Sequence, residues 1–330
     1  MKIALIKLGA LGDVVRTLPI AEAIKKKCPG SEISWITKQN AVEIFEGNPF
    51  VDNLFYPPFS SQEKYDILYN FDIEEEATAL ASSLKADKKY GFYKEGEYPM
   101  AFNISAEYYL NTLFDDELKK TNKKTYQEMM FEAAELHYNK EIPKIYLNEK
   151  DKAYADSFIK ENKINKEKLI GIHMGSGARW PSKAWAEGKI KDFIKKIKEL
   201  GHNAIVFGGP EEVNKIDRLI GDLRKSNISV YKNNPYNSIK EFASLVNLCD
   251  KMVCSDSFSL HISLALGKPT TGLFFCTTPH EVEGYGLLKK IVSPLFEEFF
   301  PEKQDQFNEG LVNSISAEEV ISSIISNNNK

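Results

Sequence analysis

Cysteine is scarce in this chain. The four in 330 residues, Cys28, Cys249, Cys254 and Cys276, never fall at Cys-x-x-Cys spacing. That argues against a zinc knuckle and against a disulfide framework, and free thiols suit a reducing compartment. Excess charge of one sign is also missing. Lys and Arg number 43 against 47 Asp and Glu, a net charge of −4, which argues against a general nucleic-acid binder. No stretch approaches the roughly 18 consecutive apolar residues a spanning helix needs. The opening MKIALIKLGALGDVV has one short apolar run before Gly9 and then carries Asp13 and Arg16, so it reads as neither a secretion signal nor a membrane span. A cytoplasmic location is expected, with any membrane contact peripheral.

What is present points to a soluble globular protein: 42% hydrophobic and 27% charged residues. The length suggests about two domains. Short apolar runs alternate with helical patterns. Lys2–Leu8 reads as a buried parallel strand, followed by the turn Gly9-Ala10-Leu11-Gly12 and a helix from about Asp13 to Lys27. Further strands are expected at Glu32–Thr37, Val51–Tyr56, Tyr65–Phe71 and Lys89–Tyr93, with a helical stretch from Ile104 to His137. A second series starts after Pro143. It has strands at Lys168–His173, Asn203–Phe207, Ile228–Tyr231, Lys251–Cys254 and Thr270–Phe275, separated by helices. A last helix is expected at 317–325, before an Asn/Lys tail that should fray. Such alternation argues for parallel sheets with helices on both faces. Two doubly wound α/β domains are expected, 1–145 and 146–330, facing a cleft lined by strand ends. The last helix is a candidate to pack back on the first domain.

Four constellations follow strands. Asp13, after Gly9 and Gly12, reads either as a helix N-cap or as a general base. The spacing Gly-x-x-Gly is not a dinucleotide fingerprint. In His173-Met174-Gly175-Ser176-Gly177-Ala178, small residues allow a phosphate or base to approach the main chain, and Lys183 follows between Trp180 and Trp185. No Walker loop is present. After Gly208-Gly209-Pro210, Glu211 and Glu212 suit ribose hydroxyls or the helix dipole. Ser255, Asp256 and Ser257 cluster at a helix start, where unpaired N–H groups form an anion site or simply a cap. His261, inside an apolar helix, reads as a packed core histidine. The runs Lys25-Lys26-Lys27 and Lys119-Lys120…Lys123-Lys124 read as solvated faces or as contacts to anionic lipid.

Taken in order, these blocks resemble glycosyltransferase family 9, the ADP-heptose:lipopolysaccharide heptosyltransferases. The resemblance covers essentially the whole chain and is strongest in KIALIKLGALGDVVRTLPIAEAIKKKCPGSEISWIT, HMGSGARWPSKAW and SDSFSLHISLALGKPTTGLF. It implies a GT-B fold with the nucleotide-sugar donor held mainly by the C-terminal Rossmann-like domain and the acceptor by the N-terminal one. It also implies inverting chemistry with no metal or other cofactor. By resemblance Asp13 is the catalytic carboxylate and Lys183 the donor-phosphate lysine. Glu211 or Glu212 holds the ribose, Asp256 lies beside the donor sugar and Ser257 at the diphosphate. Ser176, Gly177, Tyr236 and Asn237 fall near the nucleoside. The family's acceptor is a lipid-linked saccharide, which implies attachment at the inner face of the inner membrane.

The chain departs from the pattern in three places. Phe258 stands where the family usually has glycine, the loop before Lys183 contains Arg179-Trp180-Pro181-Ser182, and the C-terminal segment has no cysteine where the family's is often cysteine-rich. The expected activity is heptosyl transfer from ADP-heptose to a lipopolysaccharide-core or related acceptor. The alternatives are another nucleotide-sugar donor, a protein acceptor, or a non-catalytic nucleotide-sugar-binding protein on the same fold.

Overall fold

The structure is a computed structural model that describes residues 1–177 and 179–325; Ala178 and the Asn/Lys tail at 326–330 lie outside the described residues. The chain divides into two compact units. The first is Met1–Tyr146 with His280–Glu283, and the second is Leu147–Pro279 with Gly284–Lys330. The return of four residues to the first unit has no counterpart in the sequence reading.

The first unit runs β1 (Lys2–Ile6), α1 (Leu11–Thr17), α2 (Pro19–Lys27), β2 (Glu32–Ile36), β3 (Asn53–Phe55), β4 (Lys64–Asn70), α3 (Glu75–Ser83), β5 (Lys85–Glu95), β6 (Tyr98–Ala101), α4 (Ile104–Thr112), α5 (Asp116–Thr121) and α6 (Tyr126–Ala133). Ile3, Ala4, Leu5 and Ile6 are all fully buried, as expected of a parallel strand covered on both faces. The single helix expected over 13–27 is two, because Pro19 has no N–H to continue the first. The helical stretch from Ile104 is three short helices. α6 is started by a Thr125–Glu128 capping box. Gln39–Phe45 forms a 3-10 helix. β5 is longer than expected and pairs with the unforeseen antiparallel strand β6. Its opening, Lys85-Ala86-Asp87-Lys88-Lys89, is charged and largely exposed, and that charge hides the strand from a hydrophobic reading.

The second unit runs α7 (Glu149–Asn162), β7 (Leu169–His173), α8 (Glu187–Glu199), β8 (Asn203–Phe207), α9 (Val213–Lys225), β9 (Tyr231–Lys232), α10 (Ile239–Asn247), β10 (Lys251–Ser255), α11 (Phe258–Ala265), β11 (Thr270–Phe274), β12 (Leu288–Val292), α12 (Phe296–Phe299), α13 (Glu309–Asn313) and α14 (Ala317–Ile325). β12, an exposed edge strand of sequence LKKIV, was not foreseen. The face Ala317, Val320 and Ile324 of α14 is buried in the second unit's core, against α8 and the β11–β12 edge.

The two sheets share one strand order, with β6 antiparallel in the first and β12 parallel in the second. The first is ordered β3-β2-β1-β4-β5-β6 and the second β12-β11-β10-β7-β8-β9. Numbered within its own unit, each reads 3-2-1-4-5-6, the doubly wound dinucleotide-binding order. The order reverses between β1 and β4 in the first unit and between β7 and β10 in the second. In such sheets ligands bind outside the carboxyl ends of the strands at that reversal. Asp13 follows β1, the 174–177 loop follows β7 and Asp256 follows β10, so these residues stand at the two reversal points, whereas Glu211 and Glu212 follow β8 and Tyr236 and Asn237 follow β9.

Candidate functional site

In the first unit the chain leaving β1 is clipped to the end of β4. Asp72 Oδ2 accepts the backbone N–H of Leu8 at 2.7 Å and of Gly9 at 2.6 Å. Lys7 Nζ lies 3.5 Å from the same oxygen and donates to Phe71 O at 2.9 Å. Both side chains of this ion pair are almost fully buried. Burial disfavours charge on Lys7, yet Asp72 and the nearby Asp13 outweigh it and hold the ammonium above the ordinary lysine range. Asn70 completes the clip, donating to the carbonyls of Asp72 and Phe92. Gly9 is required by space: a Cβ there would meet the Asp72 carboxylate at 3.2 Å and Lys7 Nζ at 3.3 Å. Gly12 is buried within α1. Neither glycine is in the left-handed region, so at Gly9 the requirement is close approach rather than a left-handed turn.

The cap reading of Asp13 is also corrected. Ala10 is the N-cap of α1 and makes no side-chain cap bond. Asp13 is the third residue of the helix, and its Oδ1 lies 2.8 Å from Arg16 Nη2 and 3.1 Å from Arg16 Nε. The Arg16 guanidinium sits 3.7 Å from the centre of the buried Tyr126 ring. Lys7, Arg16, Asp72 and Tyr126 were not singled out from the sequence. A carboxylate directly after β4, matching Asp13 after β1, was the available signal for Asp72.

In the second unit, Lys183 and Asp256 come together from separate segments, Nζ 3.2 Å from Oδ2, with side chains only 12% and 17% exposed. Lys183 closes a 3-10 turn, Pro181–Lys183. Its neighbours are anchored to the C-terminal segment. Ser182 Oγ, fully buried, donates to Gln306 O and accepts from Asn308 N–H, and Trp185 Nε1 donates to Ile315 O. That segment, the one without cysteine, thus serves as the brace for the lysine loop. Among the described residues no group of three or more His, Cys, Asp or Glu is placed to hold a metal ion.

His261 is buried on α11, as the core reading expected, and its Nε2 lies 3.9 Å from Asp256 Oδ1. Ser257 is the N-cap of α11, with Oγ 2.8 Å from Ser259 Oγ. Phe258 turns its ring onto Phe242 of α10, stacked at 6.0 Å. Phe242 in turn meets Phe207 and His173 edge-on. The ring therefore joins an aromatic cluster between α10 and α11, half-buried. Burial holds the thiols of Cys254 and Cys276 at about 12 and about 11, neutral at physiological pH.

The loop after β7 is held by His173, whose Nδ1 lies 2.9 Å from Gly175 O. Gly177 has φ +77° and turns the chain in the left-handed region. Ser176 is half-buried beside it and Gly177 is exposed. A Cβ at Gly175 would meet the Glu212 carboxylate at 2.9–3.0 Å. Glu212 Oε2 accepts the Gly209 N–H at 2.9 Å, while Glu211 is exposed. The structure thus separates the two acids: Glu212 is fixed against the small-residue loop and Glu211 is not. Tyr236 is 75% exposed in the loop after β9. Asn237 Nδ2 is engaged by Tyr154 Oη and Glu241, so this side chain braces the start of α10. Of the basic runs, Lys25 pairs with Asp52, Lys26 with Glu22, Lys120 with Glu117 and Lys124 with Glu132.

Two measurements check this geometry. Burial lowers His173 to about 4 from the ordinary 6.5, so the folded chain refuses a proton that the unfolded chain takes up. Its contribution is complete above pH 6.5 and is lost as pH falls towards 4, on the order of 3 kcal/mol. Melting of the wild type is expected to fall more between pH 7 and 4.5 than that of His173→Asn; equal slopes would count against the assignment. Phe258→Gly is expected to lower Tm by roughly 3–8 °C through lost ring burial and helix entropy without changing donor preference. Unchanged melting with a new preference in a donor panel would put the ring at the ligand instead.

The sequence profile of glycosyltransferase family 9 (heptosyltransferase) matches residues 61–310. Lipopolysaccharide heptosyltransferase 1 of Campylobacter coli is 24% identical over 307 residues, 84% of each chain. Among solved structures, a glycosyl transferase family 9 protein of Veillonella parvula superposes with a TM-score of 0.78 at 19% identity, covering 98% of this chain and 96% of that one. Heptosyltransferase WaaC of E. coli, solved with ADP-2-deoxy-2-fluoro heptose, superposes at 0.64 and 15% identity, covering 99% and 100%. With three-quarters of its length matched by the family profile, the chain belongs to glycosyltransferase family 9 and is a heptosyltransferase-like glycosyltransferase.

Proposed function

We propose that this enzyme transfers a heptosyl group from an ADP-linked heptose to a hydroxyl of a lipopolysaccharide-core saccharide, with inversion and without a metal. The observation that carries the reading is the Lys183–Asp256 pair at the sheet reversal of the second unit. A lysine held against a carboxylate, beside a loop of small residues, is a fixed cation for a diphosphate. The ADP-linked heptose analogue bound by the E. coli relative supports the donor class. The curated relative's name supports the acceptor class.

In this mechanism the acceptor hydroxyl attacks the anomeric carbon while Asp13 accepts its proton. A sugar hydroxyl is a weak acid, so the proton moves late, as the new C–O bond forms. The C–O bond to the diphosphate breaks, the sugar becomes cation-like as in glycoside hydrolysis, and negative charge builds on the departing ADP. Lys183 stabilises that charge together with the N–H groups at the start of α11. One fixed donor of this kind supplies roughly 3 kcal/mol. Glu212, held beside Gly175, is placed to accept from the ribose hydroxyls, and Asp256 orients Lys183 and the donor sugar. The neutral thiols of Cys254 and Cys276 have no role as nucleophiles here. A lipid-linked acceptor would bring the enzyme to the inner face of the inner membrane.

Two variants separate the roles. Asp13→Asn is expected to bind ADP as the wild type does and to lose about 10²–10⁴ in kcat. Lys183→Ala is expected to weaken ADP binding measured by calorimetry and to slow transfer. Wild-type turnover in the first, or unchanged ADP affinity and kcat in the second, removes that residue from the mechanism. Transfer in excess EDTA is expected to equal transfer with added Mg²⁺. Loss in EDTA with rescue by Mg²⁺ would show that a cation other than Lys183 carries the diphosphate.

A further inference from the structure

Asp13 and Arg16 are three apart on one helix. An exposed pair at that spacing is a weak and mobile contact. This pair is different because the arginine is held from outside the helix. Its side chain is 14% exposed. The guanidinium lies flat enough on Tyr126 to bring its carbon 3.7 Å from the ring centre, while Nε and Nη2 both reach Asp13 Oδ1.

Tyr126 is itself fixed. It is fully buried at the first position of α6, where the Thr125–Glu128 capping box sets the start of the helix. Its N–H donates to Glu281 O, its hydroxyl lies 3.2 Å from Thr17 Oγ1, and Tyr109 meets its ring edge-on. Thr17 closes the circuit by donating to Asp13 O at 2.6 Å. Both ends of the Asp13 residue, carbonyl and carboxylate, are thereby tied to one tyrosine more than a hundred residues away.

We propose that Arg16, propped by the Tyr126 ring, is the positioning residue that aims the Asp13 carboxylate and keeps it ionised for proton acceptance. The proposal rests on the assignment of Asp13 as base given above. Arginine suits the task where lysine would not, because its planar fork can stack on a ring and donate from two nitrogens at once. The charged or titratable groups around the pair are Lys7 just after β1, Asp72 after β4, Tyr109 from α4, Tyr126 from α6 and Glu281. Burial raises both tyrosines above their ordinary range, and Lys7 is also raised, so all three keep their charge state through the acid range in which a carboxylate titrates.

The test uses the full chain carrying ¹³C-labelled aspartate carboxyls, with the Asp13 signal assigned by its loss in Asp13→Asn. In Arg16→Met the Asp13 titration midpoint is expected to rise by about one pH unit or more. Heptosyl transfer should lose roughly 10–100-fold in kcat through misplacement of the base, with donor KM within about twofold of the wild type, since the donor contacts are assigned to other residues. Tyr126→Phe keeps the ring and should stay within about threefold of wild-type kcat, whereas Tyr126→Leu should fall as Arg16→Met does. Arg16→Lys, the milder change should Arg16→Met fail to fold, keeps the charge and is expected to leave the titration near wild type while kcat falls about tenfold. An unmoved Asp13 titration or an unchanged kcat in Arg16→Met, or unchanged kcat in Arg16→Lys, overturns the proposal. Failure of the base assignment is seen separately, as full turnover in Asp13→Asn, because the titration does not depend on turnover.

Discussion

A single buried carboxylate organises the first unit. Asp72 receives two backbone N–H groups from the loop that leaves β1 and faces the ammonium of Lys7, with almost no access to water. In that environment each partner makes the other necessary. Removing one member of a buried pair leaves an uncompensated charge and costs about 3–5 kcal/mol. The consequence is positional. The loop cannot drift from the end of β4, so α1 starts at a fixed place and Asp13 and Arg16 emerge from it in a fixed direction. A side chain on Gly9 would push against this clip, which is why the loop carries glycine although its backbone does not need one.

The second unit reaches the same end by a different route. Its sheet has the same strand order, but the cation and the carboxylate, Lys183 and Asp256, come from a 3-10 turn and from the end of β10. Lys183 belongs to a loop that would be loose by itself. Ser182 and Trp185 on either side of it are bonded to the chain at Gln306–Ile315. A segment remote in sequence thus sets where Lys183 stands. The aromatic cluster of His173, Phe207, Phe242 and Phe258 stiffens the adjoining strand ends and helix start. Phe258 adds to that packing and leaves the amide groups at the start of α11 as the phosphate-facing surface of the proposed mechanism.

Much of this was readable from the chain because apolar strands ending in small residues announce parallel sheets and their ligand edges. The alternation placed both sheets, and α14 fell on its expected residues. The misses have physical causes. β6 and the start of β5 are charged or exposed, and β12 is an exposed edge strand, so hydrophobic pattern does not mark them. The resemblance gave Lys183 and Asp256 separate roles, and their pairing was not foreseen, since nothing in spacing connects residues so far apart. That Glu212 rather than Glu211 folds back to Gly209 N–H is a detail of the three-dimensional turn that the sequence does not show. The roles of Lys7, Asp72 and Tyr126 depend on three-dimensional contacts across sixty to more than a hundred residues, a range at which local pattern carries no information.

The central claim is direct displacement at the sugar carbon by an acceptor whose proton passes to Asp13. Its most direct test is the anomeric configuration of the product, read by proton NMR before any mutarotation, with ADP-linked heptose as donor and a lipopolysaccharide-core saccharide as acceptor. A single displacement assisted by a base predicts the configuration opposite to that of the donor. A product that keeps the donor's configuration would require a double displacement through a covalent sugar intermediate and would contradict the role assigned to Asp13.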